Sequence, residues 1–158
     1  MTPHRVVLIA LLAAFCCRPG STAETASDAA TIASVRGLIQ RVTPSIAARF
    51  ELQLIPQSDG KNVFELESVG DAIVLRGDNG ISLASAYNRY LQTHCHCLVS
   101  LWGSQMKLPD PLPPVPAKER IVTPRKLRHF FNYCTFNYSG AWWNWDDWEK
   151  IIDWLAMN

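Results

Sequence analysis

The chain has 158 residues, 15 of them Lys or Arg and 14 Asp or Glu, for a formal net charge of +1. So even a balance leaves no basic stripe for nucleic acid and no charge run for a membrane surface, so neither is expected as a partner.

Residues 1–23 read as a secretory leader. His4 and Arg5 make a short basic start, Val6 to Phe15 is an uninterrupted apolar run, and Ser21-Thr22-Ala23 offers small residues for cleavage. The run is shorter than the roughly 20 residues needed to cross a bilayer. Phe15 precedes Cys16, where a lipid-anchor signal wants a small residue, so lipidation is the weaker alternative to plain secretion. Cleavage would remove Arg5 and Arg18, leaving 13 basic against 14 acidic residues and a net charge of −1. The remaining 135 residues are enough for one small domain with a core. Cys95, Cys97 and Cys134 also remain. An odd count with two cysteines one residue apart is not a disulfide scaffold, so buried thiols are expected.

From Ser27 to Val42, Ile32, Val35, Leu38, Ile39 and Val42 recur at helical spacing, with Ser27 or Asp28 as cap and Pro44 as stop. The period then changes to two. Phe50–Ile55, Val63–Ser68 and Ala72–Arg76 read as three strands of a meander, with Glu51, Gln53, Glu65 and Glu67 on a wet face. Gly77 to Gly80 breaks the sheet. Ser82 is the expected cap of a second helix carrying Leu83, Ala86, Tyr87, Tyr90 and Leu91 inward. Leu98–Trp102 reads as a fourth strand. The expected domain, residues 27–107, is therefore α+β, with two helices on one face of a mainly antiparallel sheet of about four strands.

Residues 108–124 open with Leu108 to Val115 and Pro116, which hold five of the chain's ten prolines, and they read as an extended linker. Residues 125–158 read as one β/α unit. Leu127–Tyr133 is a buried-type strand, and Asp146 with Glu149 forms a capping box. Trp148, Ile151, Ile152 and Leu155 form the inward stripe of the closing helix. A lone unit cannot bury its own apolar face, so a (β/α)8-type barrel is expected to continue beyond Asn158.

Three constellations carry chemistry. His94, Cys95, His96 and Cys97 are zinc-ligand types, but alternate residues of a strand point apart and no second cluster completes a tetrahedral site, so no metal is expected. Asp146, Asp147 and Glu149 stand where the helix dipole favours acids, which explains them without catalysis. Asp153 lies among apolar neighbours and needs a partner, expected outside this sequence. Asn132 and Cys134 sit where a barrel strand passes into its loop, the end that lines barrel active sites. Trp142, Trp143 and Trp145 follow, able either to stack on the apolar face of a pyranose or to close the end of a barrel.

The run Asn132-Tyr-Cys134-Thr, Tyr138, Trp142-Trp-x-Trp145-x-x-Trp148-Glu149 and Ile152-Asp153-Trp154 resembles the start of the catalytic barrel of the α-N-acetylglucosaminidases. Gly80-Ile81-Ser82, Tyr90-Leu91, Cys95-His-Cys97 and Trp102-Gly-Ser-Gln105 with Leu108-Pro are similar to that family's small N-terminal domain and linker. The resemblance implies a retaining exo-glycosidase releasing terminal α-linked N-acetylglucosamine from a glycan; the family's lysosomal member acts on heparan sulfate. It also implies no cofactor, and two catalytic glutamates beyond Asn158, so no residue here is expected to be catalytic. By similarity Asn132 and Cys134 contribute to the pocket for the terminal sugar, with Tyr138 and Trp142 nearby. A secreted location (periplasmic, extracellular or lysosomal) and inactivity of these residues alone are expected. The competing reading is a non-catalytic carbohydrate-binding or interaction module presenting exposed Trp rings. A weaker third is a metal-binding protein using His94 to Cys97.

Overall fold

The computed structural model describes residues 22–125, 128–130, 134 and 138–158. The expected leader lies outside the described residues except for its last two positions, which open the first helix. That helix, α1, is Thr22–Val42 and starts upstream of the expected cap. Its inward stripe is the expected one: Val35, Leu38 and Ile39 are buried, and Ile32 and Val42 pack against the same cluster. Pro44 follows, and a short 3-10 turn, Ala47–Arg49, leads into the sheet.

Strands β1 (Phe50–Leu54), β2 (Val63–Val69) and β3 (Ala72–Gly77) form where the two-residue period predicts them. Their arrangement is not a meander. β3 inserts between β1 and β2, parallel to the first and antiparallel to the second. The reason lies in the side chains that must share a face. Phe50, Leu52 and Leu54 stand in register with Ile73, Leu75 and Gly77, and Leu66 of β2 stands opposite Leu75. The strand with the most fully buried apolar residues thus takes an inner place.

Helix α2 is Gly80–Thr93, capped by Asn79 rather than by Ser82: Ser82 N donates to Asn79 Oδ1 at 2.9 Å. Ser82 instead lies buried, its hydroxyl donating to Asp78 Oδ1 at 2.6 Å. The same Asp78 oxygen accepts from Val63 N at 2.8 Å, so one carboxylate ties the helix start to β2. Gly77 permits this close approach. A Cβ there would stand 2.7 Å from Leu83 N.

α1 and α2 cover the face bearing Phe50, Leu66 and Leu75, and one cluster joins all three layers. Phe50 meets the edges of Tyr87 and Tyr90, with ring centroids 5.2 and 5.6 Å apart. The Tyr87 hydroxyl is satisfied by Thr43 Oγ1 at 2.7 Å.

The fourth strand comes from an unexpected place. Leu98 and Gln105 make only an isolated bridge around a turn that leaves Trp102 exposed at its tip, so Leu98–Trp102 is not a sheet strand. Strand β4 is Glu119–Val122, from within the expected linker, and pairs antiparallel with β2. The proline segment before it is a strap laid on the domain. Val115 is buried, Tyr90 OH donates to Pro113 O at 2.8 Å, and Val115 N donates to Ser68 Oγ at 2.8 Å. Proline-rich backbone has few N–H groups to satisfy, so it can lie on a core without a sheet partner.

β4 also corrects the expected wet face. Glu51 and Gln53 are exposed, whereas Glu65 is only 6% exposed and is held by Lys118 Nζ at 2.7 Å and by Arg120. Burial alone would raise the Glu65 carboxyl; hydrogen bonds from Lys118 and Arg120 outweigh it and hold it below the usual range. The result is an α+β domain with a four-stranded mixed sheet, two of its three pairings antiparallel, and the described residues hold three α-helices.

Candidate functional site

Helix α3 is Trp145–Met157. Its reciprocal cap joins Asn144 and Asp147, Asp147 N donating to Asn144 Oδ1 and Asn144 N to Asp147 Oδ2, both at 3.2 Å, in place of the expected Asp146–Glu149 box. The buried side of α3 also differs from the expected stripe. α3 packs against α2 with Asp153 and Met157 buried, while Ile152 and Leu155 are exposed. The reason is a partner the amphipathic period does not reveal. Asp153, only 8% exposed, receives both arms of Arg41 from the last turn of α1: Nε to Oδ2 and Nη2 to Oδ1, each at 2.7 Å. Glu149, one turn earlier, stands 3.5 Å from Arg41 Nη1. The partner of Asp153 therefore lies inside this chain. At the helix end, Asn88 Nδ2 donates to Met157 O at 3.0 Å.

Of the expected strand Leu127–Tyr133, the described residues 128–130 carry no regular secondary structure, and Asn132 lies outside the described residues. Cys134 is half-buried, Tyr138 is 81% exposed and Trp142 94% exposed. Backbone bonds gather this loop: Tyr138 N and Ser139 N both donate to Cys134 O, at 2.9 and 3.1 Å, and Trp143 N donates to Gly140 O at 3.2 Å. Trp143 then packs edge-on against Trp148 of α3, 5.0 Å between centroids. The structure thus ties Cys134 to Tyr138, and leaves Trp142 pointing to solvent beside them.

Two clefts of about 710 Å³ flank α3. One is lined by Arg41, Trp102, Trp143, Asp146, Glu149 and Trp154. The other lies beside Asn88, Arg89, Arg125, Arg128 and Met157. Neither is lined by Cys134, Tyr138 or Trp142. Indoles and a phenol exposed to this degree offer flat apolar faces suited to stacking. Three of the carboxylates nearby are committed to structure: Asp147 to the cap, Asp153 and Glu149 to Arg41.

His94 to Cys97 do not act together. His94 Nε2 bonds Glu119 Oε1 at 2.9 Å, Cys95 and Cys97 are buried thiols of the core, and Cys97 Sγ donates to Cys95 O. Burial pushes both thiols up. Among the described residues no group of three or more His, Cys, Asp or Glu gathers closely enough to hold a metal ion, and no helix is long and apolar enough to cross a membrane. Arg41 is the residue sequence reasoning missed. The signal was available, since an acid within an apolar stripe demands a cation, but nothing in the order of residues says which one.

An α+β domain that leads through a strap into a tryptophan-rich helix is the architecture shared with a class of glycoside hydrolases. Residues 33–114 match the alpha-N-acetylglucosaminidase (NAGLU) N-terminal domain, and residues 128–158 match the NAGLU tim-barrel domain. The chain belongs to the alpha-N-acetylglucosaminidase family. It is 38% identical over 144 residues to human alpha-N-acetylglucosaminidase, a match that covers 88% of this chain and 19% of the human protein. It is also similar to a family 89 glycoside hydrolase from Clostridium perfringens. A double Glu-to-Gln form of that enzyme in complex with its substrate GlcNAc-alpha-1,4-galactose superposes with a TM-score of 0.81 at 32% identity, over 85% of this chain and 16% of that one. Its complex with 2-acetamido-1,2-dideoxynojirmycin gives a TM-score of 0.80 at 33% identity, over 87% of this chain and 16% of that one. The chain thus spans about a fifth or less of the length of these relatives.

Proposed function

We propose that this chain is the N-terminal portion of an exported, retaining α-N-acetylglucosaminidase that removes terminal α-linked N-acetylglucosamine from a glycan. Residues 1–23 would be its leader, 27–107 its small domain, 108–124 the connection and 125–158 the opening of the barrel. The observation that carries the reading is the match over both the small domain and the opening of the barrel, at 32% identity to an enzyme bound to a GlcNAc-containing substrate. Asn132 and Cys134 would line the pocket for the terminal sugar, with Tyr138 and Trp142 at its rim. Double-displacement chemistry needs two carboxylates about 5 Å apart across the glycosidic bond. As the family resemblance implies, the pair would come from later barrel strands, and these residues would position sugar rather than cleave it.

The test has two arms. The complete gene product should hydrolyse 4-nitrophenyl α-N-acetylglucosaminide with retention, and the 158-residue chain alone should not. Turnover by the short chain, or an inert complete product, refutes the proposal. The exposure of Tyr138 and Trp142 favours one other reading, a module that binds saccharide without cleaving it. It would show as saccharide binding by a complete product that has no hydrolytic activity.

A further inference from the structure

We propose that Arg41 is a positioning residue for the sugar pocket, acting from the small domain through α3 on Cys134. The inference rests on the functional reading above for what the pocket binds, but its geometry stands independently. Arg41 closes a fork on Asp153, two bonds of 2.7 Å, and reaches Glu149 at 3.5 Å. Residues 149 and 153 are one helical turn apart on the same side of α3, so the guanidinium grips the helix at two levels. A planar bidentate contact fixes orientation as well as distance, which a lysine point charge does not.

From α3 the contacts continue without a gap. Asp147 and Asn144 bond reciprocally at the helix start, and Trp148 holds Trp143 edge-on at 5.0 Å. Trp143 N donates to Gly140 O, and the next bonds inward, from Tyr138 N and Ser139 N, end on Cys134 O. Rotation of α3 about its axis would therefore move the turn that places Cys134. Arg41, anchored on the core-facing helix α1, opposes that rotation. A chain of contacts is only a candidate route for coupling, so the test must read both ends.

Three variants separate positioning from simple support: Arg41→Met, which keeps the apolar stem; Arg41→Lys, which keeps charge without the fork; and the exchange R41D with D153R. In ¹H–¹⁵N spectra of the 158-residue chain, Arg41→Met should shift the Cys134, Tyr138 and Gly140 amides while Leu66 and Leu75 stay in place. Arg41→Lys should give smaller shifts in the same direction, and the exchange should reverse them. In the complete gene product, Arg41→Met should raise KM for the chromogenic glycoside about five- to tenfold, with kcat changed much less. Arg41→Lys, the variant least at risk of misfolding, should fall between. Shifts that stop within residues 149–157 overturn the inference, as does a loss of activity that only tracks the folded fraction at unchanged KM. An inactive wild-type complete product would sink the functional reading, leaving the spectra to decide the coupling.

Discussion

Arg41 and Asp153 lie 112 residues apart in the chain and meet through two hydrogen bonds of 2.7 Å. The two ends of the pair are unequally placed: the Asp153 side chain is nearly enclosed, whereas the Arg41 side chain is 41% exposed. Removing one partner of a buried ion pair costs most when the charge left behind cannot reach water. Arg41→Met should therefore destabilise the chain by about 1–3 kcal/mol, and Asp153→Asn by less, because Arg41 can turn outward. Urea unfolding of the two variants measures the order. A larger loss for Asp153→Asn would show that the arginine, not the acid, is the trapped charge.

Gly77 is a steric requirement. Its missing side chain lets β3 pass against the first turn of α2, where a Cβ would come 2.7 Å from Leu83 N and 3.0 Å from Ser82 C. Both neighbours are backbone and cannot rotate aside. Gly77→Ala should cost about 1–3 kcal/mol by forcing strand and helix apart. Gly60→Ala, where no atom lies within 4 Å but φ is +69°, supplies a comparison in which only backbone strain is added. If the two variants melt alike, crowding at Gly77 is not the cause.

Glu65 makes stability depend on acid. Its folded carboxyl is held below its ordinary value by Lys118 and Arg120 against the opposing effect of burial. The stability it contributes is therefore complete above the ordinary carboxylate range, about pH 4.3, and is lost as pH falls through the lowered folded value. Glu119 and Asp78 are lowered too, so the acid limb is shared. Glu65→Gln should lower the urea midpoint at pH 7 and make its decline between pH 5 and pH 3 shallower than in the wild type. A parallel decline would mean that Glu65 is not linked to folding.

The exposed rings should report directly on their surroundings. Trp142 is 94% exposed and Trp102 90%, while Trp143 and Trp148 cover one another. Iodide quenching of the chain should fall more in Trp142→Phe than in Trp143→Phe. In the complete gene product the same comparison reads whether saccharide reaches Trp142: N-acetylglucosamine should protect the wild type from iodide and leave Trp142→Phe nearly unchanged. Equal protection of both would place the sugar elsewhere.

Much of this architecture was legible in the order of residues, because local periodicity needs only neighbours. The stripe Val35, Leu38, Ile39 defines α1, and the alternation Phe50, Leu52, Leu54 defines β1, whatever they pack against. Caps were misplaced by a few residues, since Asn79 and Asn144 compete with Ser82 and Asp146 for the same helix starts. The Trp-rich run, rare enough to mark a family, pointed to the barrel opening without any coordinates.

Other features depended on residues meeting across long stretches of chain. The place of β3 between β1 and β2 follows from which apolar faces must share a core. β4 was hidden behind prolines because pairing belongs to the partner strand, and Lys118 and Arg120 become intelligible only once Glu65 lies beneath them. The orientation of α3 was set by one buried carboxylate seeking one guanidinium, which outweighed the exposure of Ile152 and Leu155. Sequence alone determined the helices and the first three strands and which family the chain belongs to, because hydrophobic periods and rare motifs are written locally. Tertiary structure decided which strands pair, which way α3 faces and which charges are spent on the fold, because those outcomes depend on distances that exist only after the chain has closed on itself.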